Sequence, residues 1–189
     1  MRVTHWITVL CFLALLVSGV NLVISHPRFY WGEEGNVNTP ALFQLPIPAS
    51  RAAVQTGYGY VLPDQNGWSR SLHFQAAWLV VFAGLTYALH GWRTGHFVRS
   101  PYVGLQRAAY AGVVFVLFPL MIWTGLAMSP AVTGALPFLA GIWGGHQSAR
   151  TIHFFTTLSL VAFVAGHIAM VAISGFRRHM RAMTIGGEQ

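Results

Sequence analysis

Four stretches of this chain decide what it can fold into. A hydrocarbon core about 30 Å thick takes roughly twenty residues of α-helix to cross. Residues 4–24, 72–92, 108–128 and 152–174 each reach that length without one Asp, Glu, Lys or Arg. All four acids, Glu33, Glu34, Asp64 and Glu188, lie between or beyond these runs. A bilayer offers the backbone no water, so uncharged apolar runs of this length cross it as helices. The expected fold class is an all-α membrane protein, one domain over residues 1–189 built as a four-transmembrane-helix bundle. The composition fits, with 8% charged residues against the roughly 25% of a soluble domain.

The cations set the orientation. With the N-terminus in the cytoplasm, the inside carries Arg2, Arg93, Arg99, Arg107, Arg177, Arg178 and Arg181, and the outside only Arg28, Arg51, Arg70 and Arg150. Arginine accumulates on the cytoplasmic side of membrane proteins, so both termini are expected there. Lipid headgroups account for the net charge of +7, and no nucleic-acid-binding pattern is present. Residues 1–19 have some features of a secretory signal, but the apolar run is longer than such a segment needs, and a retained first span is expected. The single Cys11 lies inside that span, which leaves no disulfide framework and no C-x-x-C-H attachment for covalent haem. The first outer loop, residues 26–71, is long and aromatic; the second carries Pro130, Pro137 and "GGH", with enough apolar residues to lie in the interface.

Histidines are the unusual feature of the spans. Imidazole is costly in hydrocarbon and normally faces the bundle interior with a partner, so each intramembrane histidine points to function. His26, His96, His146 and His179 fall outside the spans and read as surface or interfacial residues. His153 and His167 stand fourteen residues apart in "HFFTTLSLVAFVAGH". That interval rises about 21 Å and turns the helix to within about 40° of its starting direction, so both face one way near opposite leaflets. A histidine cluster around one metal ion needs all its ligands within a few ångströms, which this spacing forbids, whereas a haem iron needs only two axial ligands per site. Depth then pairs His167 with His5 at the inner side and His153 with His73 at the outer side. These four are the candidate axial ligands of two haem irons.

Other residues fit around this frame. Gly19 lies on the face of His5 at outer-haem depth and Gly84 lies near the inner haem, each as a side-chain-free wall; both read equally as small-residue packing positions. Arg2, Arg70 and Arg150 each precede a proposed ligand by three residues, where a guanidinium could pair with a haem propionate or simply anchor the helix at the interface. A fourth such pair is Arg93–His96. His90 also lies near the inner site, but it sits about 100° from the face of His73. His90 and Arg93 are candidates for a quinone headgroup beside Arg2 and His5, since a histidine passes protons near neutral pH. The outer haem with Trp68, Arg70 and His73 is the alternative location.

"RVTHW" at the first span, "SLHF" at the second and the H-x13-H of the fourth are similar to the ligand positions of the bacterial dihaem b-type cytochromes, the family of the membrane subunits of nickel-iron hydrogenases and formate dehydrogenases. The resemblance covers nearly the whole chain. It implies a helix bundle holding two stacked, non-covalent haems b, exchanging electrons between the quinone pool and a partner redox enzyme. The long aromatic first outer loop departs from the simplest members and suggests an interface for a periplasmic oxidoreductase, a molybdenum enzyme or a hydrogenase among the candidates. Two further readings stand beside this one. One is a self-contained membrane oxidoreductase acting on quinone and a small redox substrate such as superoxide. The other is a histidine-using transporter or metal carrier, which the absence of intramembrane carboxylates disfavours.

Overall fold

The computed structural model describes residues 2–36, 38–47, 66–95 and 104–186. Four helices in it are long and apolar enough to cross a membrane. The first is α1 (Arg2–Ser25) and the second α2 (Asn66–Arg93). The third is assembled from α3 (Gly104–Gly112), a π-helical turn (Val113–Leu117) and α4 (Phe118–Ala127). Two short helices, α5 (Pro130–Ala135) and α6 (Phe138–Gly141), lead into the fourth, α7 (His146–Ile173), and α8 (Phe176–Thr184) closes the chain. Each helix turns large apolar side chains outward. On α1 these are Val3, Ile7, Leu10, Leu13, Val17 and Val20, a stripe at helical spacing that belongs against lipid.

The spans agree with the apolar runs, with differences at their ends. Both α2 and α7 begin six residues before the runs at 72 and 152. Polar residues such as Ser69, Arg70, Gln147 and Arg150 continue a helix into the headgroup zone, where hydropathy no longer marks it. The third span differs internally. Proline 119 has no N–H to give and its ring crowds the carbonyl four residues back, and the ladder slips there by one residue, with the Phe118 N–H donating to the Val113 carbonyl. This is a π-bulge with an identifiable cause.

The bundle consists of two helix pairs. Backbones approach closely between α1 and α2 and between α4 and α7, but among the described residues they hardly do so across the pairs. Side chains bridge that gap, among them Phe118, which packs against the buried cluster of Cys11, Ala76 and Val80. Cys11 is a buried free thiol, as expected of an apolar position.

One end of the bundle carries a cap. Strands β1 (Arg28–Phe29) and β2 (Phe43–Gln44) pair antiparallel. They press Phe29, 1% exposed, between Phe43 (4.6 Å) and Phe154 of α7 (4.5 Å). The chain after β1 then docks on the first turns of α7. Ser148 Oγ accepts from the Gly32 N–H at 2.7 Å, Thr151 Oγ1 donates to the Tyr30 carbonyl at 2.7 Å, and the Gln147 N–H donates to the Gly32 carbonyl at 3.0 Å. Gly145 has φ +122° and presses so closely on the Gly32–Glu33 backbone that no side chain fits between them. The first loop, expected to serve as an interface for a periplasmic oxidoreductase, is in its described part, up to residue 47, built into the fold.

At the opposite end α8 folds back on α1. Arg177, Arg178 and Arg181 share α8 with Phe176, Met180 and Met183, the make-up of a helix lying in the membrane surface. The Trp6 Nε1–H donates to the Met183 carbonyl at 3.0 Å, so the described chain ends lie together at this end. His96, Arg51, Arg99, Asp64, Glu188 and loop residues 48–65 and 96–103 lie outside the described residues.

Candidate functional site

The imidazoles meet in two pairs across the gap between the helix pairs. At the cap end His73 of α2 faces His153 of α7, with ring centroids 6.3 Å apart. At the other end His5 of α1 faces His167 of α7, with centroids 6.4 Å apart. Each helix pair therefore contributes one ring to each site. The rings of neither pair lie parallel: the planes are inclined by 54° at the cap end and 65° at the other. A metal–imidazole bond of about 2.0–2.1 Å, with about 1.1 Å more from the ligating nitrogen to the ring centre, places two rings about 6.3 Å apart across a single metal atom. Among the described residues no group of three or more His, Cys, Asp or Glu could hold a metal ion. A metal held by two ligands alone needs its remaining positions filled by something else, as a haem macrocycle does. The residues present fit that group at both ends.

The second nitrogens have partners that the sequence reading missed. The Ser18 hydroxyl donates to the Ala14 carbonyl at 2.7 Å, and its oxygen lies 3.0 Å from His73 Nδ1. The Thr124 hydroxyl donates to the Leu120 carbonyl at 2.7 Å, with its oxygen 2.9 Å from His153 Nδ1. With each hydroxyl turned to its own helix carbonyl, its oxygen is placed to accept the proton of an imidazole protonated at Nδ1. Tyr110 Oη lies 3.1 Å from His167 Nδ1, while Phe163 stacks on that ring and Trp6 stands edge-on to His5. A signal did exist for two of these partners. "SG" at 18–19 and "TG" at 124–125 each put a hydroxyl and a gap side by side in an otherwise bulky span.

The remaining expected residues fall as follows. A Cβ on Gly19 would sit 3.6 Å from His73 Cε1, so the space there admits the His73 ring itself; Gly125 does the same for His153 at 3.5 Å. Gly84 faces open space. Arg150 turns to the cap, donating to the carbonyls of His26 and Arg28 and lying 4.8 Å over the Phe29 ring. Arg2 reaches the chain end beside Gly186. Arg70, His90 and Arg93 are exposed, and it is His5, not His90, that the fold brings to His167. Of the histidines expected at the surface, His26 is exposed, His146 meets Glu33 at 3.3 Å and His179 meets the Ser174 hydroxyl at 3.0 Å.

A protein of Azospira oryzae named as a protein-methionine-sulfoxide reductase subunit, YedZ1, is 28% identical over 206 aligned residues, spanning 92% of this chain and 88% of that protein. No solved structure matches the chain. The family model described as prokaryotic cytochrome b561 matches residues 1–186. With that match over almost its whole length, this four-span membrane chain belongs to the prokaryotic cytochrome b561 family of haem b electron-transfer proteins.

Proposed function

We propose that the protein is a dihaem subunit that moves electrons across the bilayer between quinone and a partner oxidoreductase at the cap side. His73 and His153 hold one haem b and His5 and His167 the other. The observation that carries this reading is the pair of ring separations, 6.3 and 6.4 Å, at opposite ends of one face of α7. When bound, haem b supplies a one-electron ferric/ferrous couple. The chain's own part is to hold the two planes at fixed depths, exclude water from them and fix which nitrogen faces each iron.

The side assignment rests on the arginines. Arg2, Arg93, Arg107, Arg177, Arg178 and Arg181 gather at the end where α8 meets α1, and that end is placed in the cytoplasm. The cap is then periplasmic. A partner oxidoreductase is supported by the relative whose name makes it a reductase subunit. The quinone headgroup is placed beside the inner pair, where Arg2, His90 and Arg93 offer charge and a proton carrier.

The test is a reduced-minus-oxidised spectrum with haem quantification on the purified protein and five alanine variants. Two b haems per chain are expected. His73→Ala and His153→Ala should remove or convert one and the same low-spin haem, His5→Ala and His167→Ala the other, and His90→Ala neither. If His90→Ala removes the haem lost in His167→Ala while His5→Ala keeps both, the inner pairing is wrong.

A further inference from the structure

We infer that Ser18 and Thr124 are positioning residues for the cap-side haem, which fix the tautomer of its two axial imidazoles and set its potential apart from that of the other haem. The inference rests on the ligand reading above.

Two different helices present the same arrangement. On α1, Ser18 is 0% exposed, spends its proton on the Ala14 carbonyl and accepts the Nδ1–H of His73. On α4, Thr124 is likewise 0% exposed, spends its proton on the Leu120 carbonyl and accepts the Nδ1–H of His153. In both cases a glycine follows, and the imidazole Cε1 lies 3.6 Å and 3.5 Å from where its Cβ would be. The hydroxyl defines one edge of the ring and the glycine leaves room for the next atom. A neutral imidazole carries one N–H and one lone pair. With the proton held at Nδ1, the lone pair is at Nε2, the nitrogen left for iron.

The other site is built differently. His167 has a phenol, Tyr110 Oη at 3.1 Å, beside its Nδ1. An acceptor on the outer N–H of a ligating imidazole raises its basicity and hence its donation to the metal. Stronger donation favours the ferric state, so the two acceptors lower the cap-side potential. Removing them raises it, and only there.

The experiment uses the full-length, haem-loaded protein. Ser18→Ala and Thr124→Val remove the acceptors, with valine keeping the shape of threonine. Ser18→Thr and Thr124→Ser keep them. Haem content, low-spin electron paramagnetic resonance and a potentiometric titration are recorded for each. The cap-side haem is identified as the one lost in His73→Ala and His153→Ala. Expected is a rise in its midpoint potential and a shift of its low-spin signal in Ser18→Ala and Thr124→Val, the other haem unmoved, and wild-type values in the hydroxyl-keeping variants. Should Thr124→Val lose the haem, recovery in Thr124→Ser supports the inference and failure to recover overturns it, because shape rather than the hydroxyl would then matter. Intact loading with unmoved potential and signal in both Ser18→Ala and Thr124→Val also overturns it. Retention of both haems in His73→Ala and His153→Ala would overturn the ligand reading instead.

Discussion

A buried imidazole has two nitrogens, and the neighbours of one decide what the other can do. His73 and His153 each have Nδ1 held by a hydroxyl that has no proton to offer it. The glycines beside those hydroxyls are tight for a narrower reason. An added methyl would meet the ring at 3.6 or 3.5 Å, ordinary van der Waals contact, whereas a longer side chain must displace it. Gly19→Ala and Gly125→Ala are therefore expected to keep the cap-side haem and Gly19→Leu and Gly125→Leu to lose it, as read by haem content per chain. The pairing of the four imidazoles was legible in the sequence because spacing along a helix fixes depth and face. Their Nδ1 partners were not, because which residue of α1 meets α2 depends on the rotation of one helix about its axis relative to the other. No spacing rule within a single span contains that angle.

At the scale of elements, α7 works as a ruler and the third span as an adjustable strut. Deleting one residue from an α-helix turns everything beyond it by about 100° and draws it in by about 1.5 Å. Removing the exposed Ser159, which lies between His153 and His167, should swing His167 away from His5 and abolish that low-spin haem while sparing the other. The π turn in the third span already contains one surplus residue, accommodated because Pro119 cannot continue the ladder. Deleting the exposed Val116 together with Pro119→Leu should convert the turn to α-helix, leave Tyr110 and Thr124 on their histidines and keep both haems. Equal haem loss from the two deletions would show that the π turn is not a surplus residue. The turn was not read from the sequence, where a proline within a span fits a kink as well as a π turn. Only the backbone ladder tells them apart.

For the whole molecule, the question is how a bundle with few backbone contacts between its two helix pairs keeps its cap-side rings in register. The cap is part of the answer, since it ties α1 through β1 to the first turns of α7, directly above His153. The Glu33 carboxylate strengthens the joint, accepting from the His146 N–H at 3.1 Å and meeting the His146 ring at 3.3 Å; an acidic group at a helix N-terminus is favourable in itself. Phe29 is the keystone, 1% exposed, stacked on Phe43 and packed at a tilt on Phe154. Truncating such a ring costs about 3–5 kcal/mol, a large fraction of the stability of a small domain. Trp31 and Leu42 of the same loop are 61% and 57% exposed. Phe29→Ala should therefore lower the temperature at which the cap-side haem is released and leave the other haem unchanged. Trp31→Ala and Leu42→Ala should keep both haems and their melting behaviour, and reduce only electron delivery to a partner reconstituted at that face. The two effects separate the cap's structural role from its surface. If the Trp31 and Leu42 variants release haem as Phe29→Ala does, the exposed side chains are part of the joint, and the partner must dock elsewhere on the molecule.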